Sequence, residues 1–98
     1  MPKVILQISY EIQDAKREDY LQLVKDLKRH FIEEQKKEYA IFEQRGKKNC
    51  FVEQFTCSSM DEYEALEDNM NENSESLVNK LETMLKPGTS KYLTLIEI

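Results

Sequence analysis

Apolar and polar positions alternate over the first extended run of the chain. Val4, Leu6, Ile8, Tyr10 and Ile12 fall at every second position, with Ile5, Gln7, Ser9 and Glu11 between them. A repeat of two marks a strand, whose successive side chains point to opposite faces. The period then changes. Tyr20, Val24, Leu27 and Phe31 step by four, three and four, with Leu23 widening the stripe. This predicts an amphipathic helix of about five turns, capped by Asp14 and ending near Lys36 and Lys37.

Two further strand-like runs, 39–44 and 50–57, are joined by Arg45-Gly46-Lys47-Lys48-Asn49, a polar link of hairpin type. Ser59-Met60-Asp61-Glu62 has capping-box spacing and predicts a second helix from Met60, with Tyr63, Leu66 and Met70 on its apolar side. Asn69, Asn71 and Asn73 predict a kink or break there, because asparagine side chains compete for backbone hydrogen bonds. Helix resumes through Leu77, Val78, Leu81 and Leu85, Pro87-Gly88 stops it, and residues 92–98 read as a last strand. The order is βαββαβ. It predicts an α+β, ferredoxin-like domain over residues 1–98: a four-stranded antiparallel sheet with its helices on one face.

The uncovered face needs an account. If the hairpin loop has an even residue count, Ala40, Phe42, Phe51 and Phe55 share a face and join Val4, Leu6, Ile8, Leu93 and Leu95 beneath the helices. The opposite face then carries Ile5, Gln7, Ser9, Tyr39, Ile41, Val52, Gln54, Thr56, Tyr92, Thr94 and Ile96. Such a face is too apolar to stay open to water and too polar for an ordinary core. Sheet-to-sheet packing in a homodimer, around a partly polar chamber, satisfies both, and a one-residue slip in register inverts the assignment.

Ninety-eight residues make one domain, large enough to bury a core without metal or disulfide staples. The chain is acidic, with 19 Asp and Glu against 14 Lys and Arg. The excess is concentrated late: residues 49–98 hold three basic and ten acidic side chains. That charge repels phosphate backbones and argues against nucleic-acid binding. Cys50 and Cys57 fall on one strand at odd separation, so they face opposite ways and cannot pair with each other. Free thiols suit a reducing compartment. No run reaches membrane-spanning length and the first residues show no leader pattern, so the expectation is a cytoplasmic protein without membrane contact.

Phe51-Val52-Glu53-Gln54-Phe55, followed by Ser58-Ser59-Met60-Asp61-Glu62-Tyr63-Glu64-Ala65-Leu66, carries a family resemblance. Together with the interrupted second helix and the Pro-Gly before the last strand, it resembles the dimeric α/β-barrel superfamily and its antibiotic-biosynthesis-monooxygenase-like group. The resemblance covers nearly the whole chain in element order. It implies a dimer whose pocket orients an electron-rich aromatic or quinol-like substrate for reaction with oxygen, without metal or flavin cofactor. Two positions depart from the group's pattern: Leu66 stands where many members carry a histidine on the second helix, and Gln54 where many carry a glutamate on the third strand. The haem-degrading members need a tryptophan, and this chain has none.

The chemistry read from the residues is sparse. His30, the one histidine, lies late in the first helix beside Phe31 and reads as a structural or surface residue rather than an acid–base group. Zinc-ligand spacing is absent, and so is a phosphate-cradling glycine loop. An RNA-binding domain of the same element order needs an aromatic where Gln54 stands. A metallochaperone needs a cysteine pair at the first turn, and an amino-acid-sensing domain a glycine there; Ile12-Gln13-Asp14-Ala15 offers neither. Gln7, Ser9, Tyr39, Gln54 and Tyr92 are the polar groups expected to converge in the chamber, as a ligand pocket or as a hydrogen-bonded subunit interface. No general base stands out, since Glu11 and Glu43 fall at strand ends. The two readings are a homodimeric small-molecule-binding domain with cofactor-independent monooxygenase activity, and a non-enzymatic dimerisation or ligand-binding module.

Overall fold

A computed structural model describes residues 2–98. Four strands, β1 (Val4–Glu11), β2 (Glu38–Glu43), β3 (Cys50–Cys57) and β4 (Lys91–Ile96), form one antiparallel sheet in the order β2-β3-β1-β4. Three helices, α1 (Arg17–Lys28), α2 (Met60–Asp68) and α3 (Glu72–Glu82), complete the α+β, ferredoxin-like fold.

Local chemistry explains the boundaries. Asp14 does not cap α1. It opens a short 3₁₀ turn, Asp14–Lys16, and its carboxylate accepts from Asn49 Nδ2 at 3.0 Å instead. At its C-terminal end α1 widens into a π-helical turn, Arg29–Glu34, and Lys36 then takes a positive φ of 56°. Tyr20, Leu23 and Leu27 from α1, with Phe31 from the π turn, are buried against the sheet. Ser59 caps α2 by accepting from the Glu62 backbone N–H at 3.2 Å. The Glu62 carboxylate turns to the backbone N–H of Ser58, at 2.6 Å, rather than to Ser59. The expected break at the asparagines is present: Asn69 Nδ2 donates to the Ala65 carbonyl at 2.5 Å, and Asn71 caps α3 by accepting from the Ser74 backbone N–H at 3.0 Å.

Register corrects the expected faces of two strands. Strand β1 pairs with β3 so that Val4, Leu6, Ile8 and Tyr10 share the helix face with Cys57, Phe55, Glu53 and Phe51. Gln44 N–H bonds the Cys50 carbonyl at 2.8 Å, which leaves a five-residue loop, an odd count. Tyr39 and Ile41 therefore lie under the helices beside Phe55 and Glu53, and Ala40 and Phe42 face the other way. The second correction is β4, which pairs Ile8 with Tyr92 and Leu6 with Thr94. Tyr92, Thr94 and Ile96 thus join the helix side, and Leu93 and Leu95 take the open face. The core is Tyr10, Ile12, Tyr20, Leu23, Leu27, Phe31, Tyr39, Phe51, Phe55, Leu81 and Met84. No helix of the described residues is long and apolar enough to cross a membrane.

Candidate functional site

The side chains that β1 and β3 present to the helices are apolar or aromatic with one exception. Glu53 stands between Phe51 and Phe55 in strict alternation, opposite Ile8 on β1 and Ile41 on β2, and is only 5% exposed. Strand periodicity puts it there: an acid at the same parity as Phe51, Phe55 and Cys57 goes in with them. Tyr39, diagonal to it on β2, donates its hydroxyl hydrogen to Glu53 Oε1. Tyr10, diagonal to it on β1, places its own hydroxyl 2.7 Å from that of Tyr20.

No ion pair of the described residues includes Glu53. Burial accordingly raises its carboxyl above the ordinary value, opposed by hydrogen bonding from Tyr39 and Tyr10. Burial also raises the phenols of Tyr10 and Tyr39, and the charge of Glu53 adds to that rise. Both tyrosines are neutral donors at physiological pH.

Over this part of the sheet lies a cavity of about 900 Å³. Leu6, Ile8, Tyr10, Glu53 and Phe55 form its floor, and Leu27 and Phe31 one wall. Tyr63 and Leu66 from α2, Met70 from the break after it, and Val78, Leu81 and Leu85 around α3 form its roof. Gln35, Lys37, Glu64, Glu67, Glu82, Ser90, Tyr92 and Thr94 complete the lining. Helix α2 packs on β1 and β3 yet buries none of its residues fully, and Tyr63 and Leu66 on it line the cavity. It is held along its length by the Ser59 cap, by a 2.9 Å contact between the Tyr63 and Thr94 hydroxyls, and by Gln35 Nε2 donating to the Asn69 carbonyl at 2.8 Å.

The five candidate residues divide between the faces. Gln7 and Gln54 are paired across β1 and β3 on the open face, Gln7 Nε2 donating to Gln54 Oε1 at 3.0 Å, with Ser9 on the same side. Tyr39 is buried on the helix face and Tyr92 lines the cavity. They do not converge in one chamber. The cavity lies between sheet and helices within one chain, whereas the sequence reading placed it on the open face.

Glu53 is the group that reading passed over. Its signal was the alternation of Phe51, Phe55 and Cys57, which obliges residue 53 to share their face. Of the two strand-end carboxylates, Glu43 accepts from Arg17 Nη1 at 2.7 Å and Nη2 at 3.0 Å. That pair, with the Asn49 backbone N–H, holds Glu43 down to about 2.

His30 is buried, with Nε2 2.5 Å from Ser74 Oγ and Nδ1 3.0 Å from Glu34 Oε1. The order serine–histidine–carboxylate has the connectivity of a nucleophile triad. Ser74, however, is fully buried and out of a substrate's reach, so the set joins the π turn to α3. Among the described residues no cluster of three His, Cys, Asp or Glu is arranged to hold a metal.

With this geometry in view, the fold can be placed among known ones. No protein-family model matches the chain, and no curated protein matches it in sequence. Solved structures do match in fold. A candidate antibiotic biosynthesis monooxygenase from Caulobacter crescentus superposes with a TM-score of 0.78 at 12% identity, over 99% of this chain and 91% of that one. A protein of unknown function from Bacteroides thetaiotaomicron superposes with 0.75 at 14% identity, over 97% of both chains. SnoaB, a cofactor-independent oxygenase from Streptomyces nogalater, superposes with 0.72 at 12% identity, over 95% of this chain and 90% of that one. The chain shares the α+β, ferredoxin-like fold of these structures. At such identities the likeness concerns the fold alone.

Proposed function

We propose that the protein is a homodimer in which each protomer binds a small aromatic molecule in its own cavity, and that the reaction is cofactor-independent oxygenation of a phenol or quinol-like substrate. The observation that carries this reading is the 900 Å³ cavity, apolar on most sides, with one buried carboxyl on its floor. Volume and lining of this kind suit a flat ligand of drug-like size. In the reaction, a phenolic C–H carbon and O₂ yield a quinone carbonyl and water: one oxygen stays on carbon, and the other leaves with both hydrogens. The protein's part is to orient the ring, exclude water and take the phenolic proton.

Dimerisation is supported by the open face. Phe42, Leu93 and Leu95 are 52%, 53% and 41% exposed there, beside Ile5 and Val52. A second sheet would cover that apolar surface, with the Gln7–Gln54 pairs meeting inside the interface. Two free cysteines fit a cytoplasmic setting.

The second reading, a binding module without turnover, is favoured by Leu66, which lines the cavity where a histidine base would otherwise act. Oxygen uptake with a naphthalene-diol substrate separates the two. Uptake above the autoxidation rate supports the enzyme; a thermal shift without uptake supports the module. The cavity reading fails if neither is seen.

A further inference from the structure

We propose that Glu53 is the polar anchor of the cavity's ligand, accepting a hydrogen bond from the hydroxyl of a neutral hydroxyarene whose ring lies against Phe31, Phe55 and Leu66. This rests on the cavity reading above and adds to it the residue that anchors the ligand. Four carboxylates line the cavity, and three of them, Glu64, Glu67 and Glu82, are exposed. Glu53 alone is buried, and it lies among the apolar side chains of the floor. Its Oε1 is taken by Tyr39, and no cation of the described residues neutralises it.

A buried carboxyl without a cationic partner is costly to keep in a sheet core. Isoleucine or leucine would suit the same strand position in volume, at the cost of leaving the buried Tyr39 hydroxyl without its acceptor. A ligand hydroxyl would add a donor from the cavity side to those of Tyr39 and Tyr10. Burial also raises the basicity of the carboxylate, which strengthens it as an acceptor for a hydroxyl donor. Anions are disfavoured on charge, since Glu64, Glu67 and Glu82 outnumber Lys37. Ammonium ligands are disfavoured by desolvation, because a compact, strongly hydrated cation gives up more water than a hydroxyl does on entering an apolar cavity.

The test compares four ligands of one shape: 2-naphthol, 2-methylnaphthalene, 2-naphthoate and 2-naphthylmethylamine. Their binding is followed by naphthyl fluorescence, which is clean in a chain with no tryptophan. The wild-type protein should hold 2-naphthol about tenfold or more tighter than 2-methylnaphthalene, the scale of one hydrogen bond to a charged group. Glu53→Leu should erase that preference while keeping affinity for 2-methylnaphthalene, and Glu53→Gln should leave a reduced preference in an unchanged fold. If 2-naphthol and 2-methylnaphthalene bind the wild type equally, the anchor is overturned and the cavity stands. Tighter binding of the amine or the carboxylate overturns the hydroxyl class. If none of the four binds, the cavity reading itself falls.

Discussion

The hydroxyl of Tyr39 donates to the buried carboxylate of Glu53 across strands β2 and β3, with both side chains on the helix-covered face of the sheet. Two polar groups that would each be costly in an apolar layer thus satisfy one another. Tyr39→Phe removes the donor and leaves the carboxylate short of a partner. We expect a loss of about 1–3 kcal/mol at neutral pH by urea denaturation. The loss should shrink as pH falls and Glu53 takes up its proton.

Glu53→Gln should act in the opposite sense. The folded chain raises this carboxyl above its ordinary 4.5, so it keeps a proton that the unfolded chain has released. Stability linked to Glu53 is therefore complete below the ordinary carboxylate range and declines as pH rises through the raised value. The glutamine variant escapes that decline. Its melting temperature should match the wild type near pH 4 and exceed it near pH 8, by a margin worth on the order of 1 kcal/mol or more. Equal melting curves at both pH values would show that Glu53 carries no such penalty.

Arg17 and Glu43 set the acid limb. Glu43 is held at about 2 by the Arg17 guanidinium and the Asn49 backbone N–H, so its stabilising contribution is present above the ordinary carboxylate range and is lost as pH falls towards 2. Arg17→Ala should move the acid-unfolding midpoint to higher pH, read by far-UV circular dichroism. High salt should narrow the difference between variant and wild type, because both side chains reach solvent.

Ser59→Ala removes the cap of the cavity's roof. A loss of about 1 kcal/mol is expected from the uncapped N-terminus of α2. Because α2 has no fully buried residue to anchor it, amide exchange should quicken there well before α1 or β1 responds. Uniform acceleration across the chain would mean that the roof does not open by itself.

On the open face, Leu95→Glu places a charge on the surface proposed to meet a second sheet. Light scattering on a sizing column should give a mass near twice 11.7 kDa for the wild type and near 11.7 kDa for the variant. A wild-type monomer at micromolar concentration would remove the dimer and leave the face open for some other partner.

The chain's periodicities determined the order of elements, the broken second helix and the facing of β1 and β3. Each of these follows from covalent geometry over a few residues, the period of two for a strand and the capping chemistry of Ser59 and Asn71 for the helices. Even the burial of Glu53 was legible, because Phe51 and Phe55 on either side leave a strand residue no other face. It went unassigned because an acid inside an apolar layer runs against the usual partition of side chains. The facing of β2 and β4 was not legible. Tyr39, Ala40, Ile41 and Phe42 are apolar or aromatic on both faces of their strand, as are Tyr92, Leu93, Leu95 and Ile96. Only pairing with β3 and β1 selects between the two registers. The cavity too is a tertiary fact: it lies between the sheet, α1 and the roof built around α2 and α3, and its lining residues come from tens of positions apart.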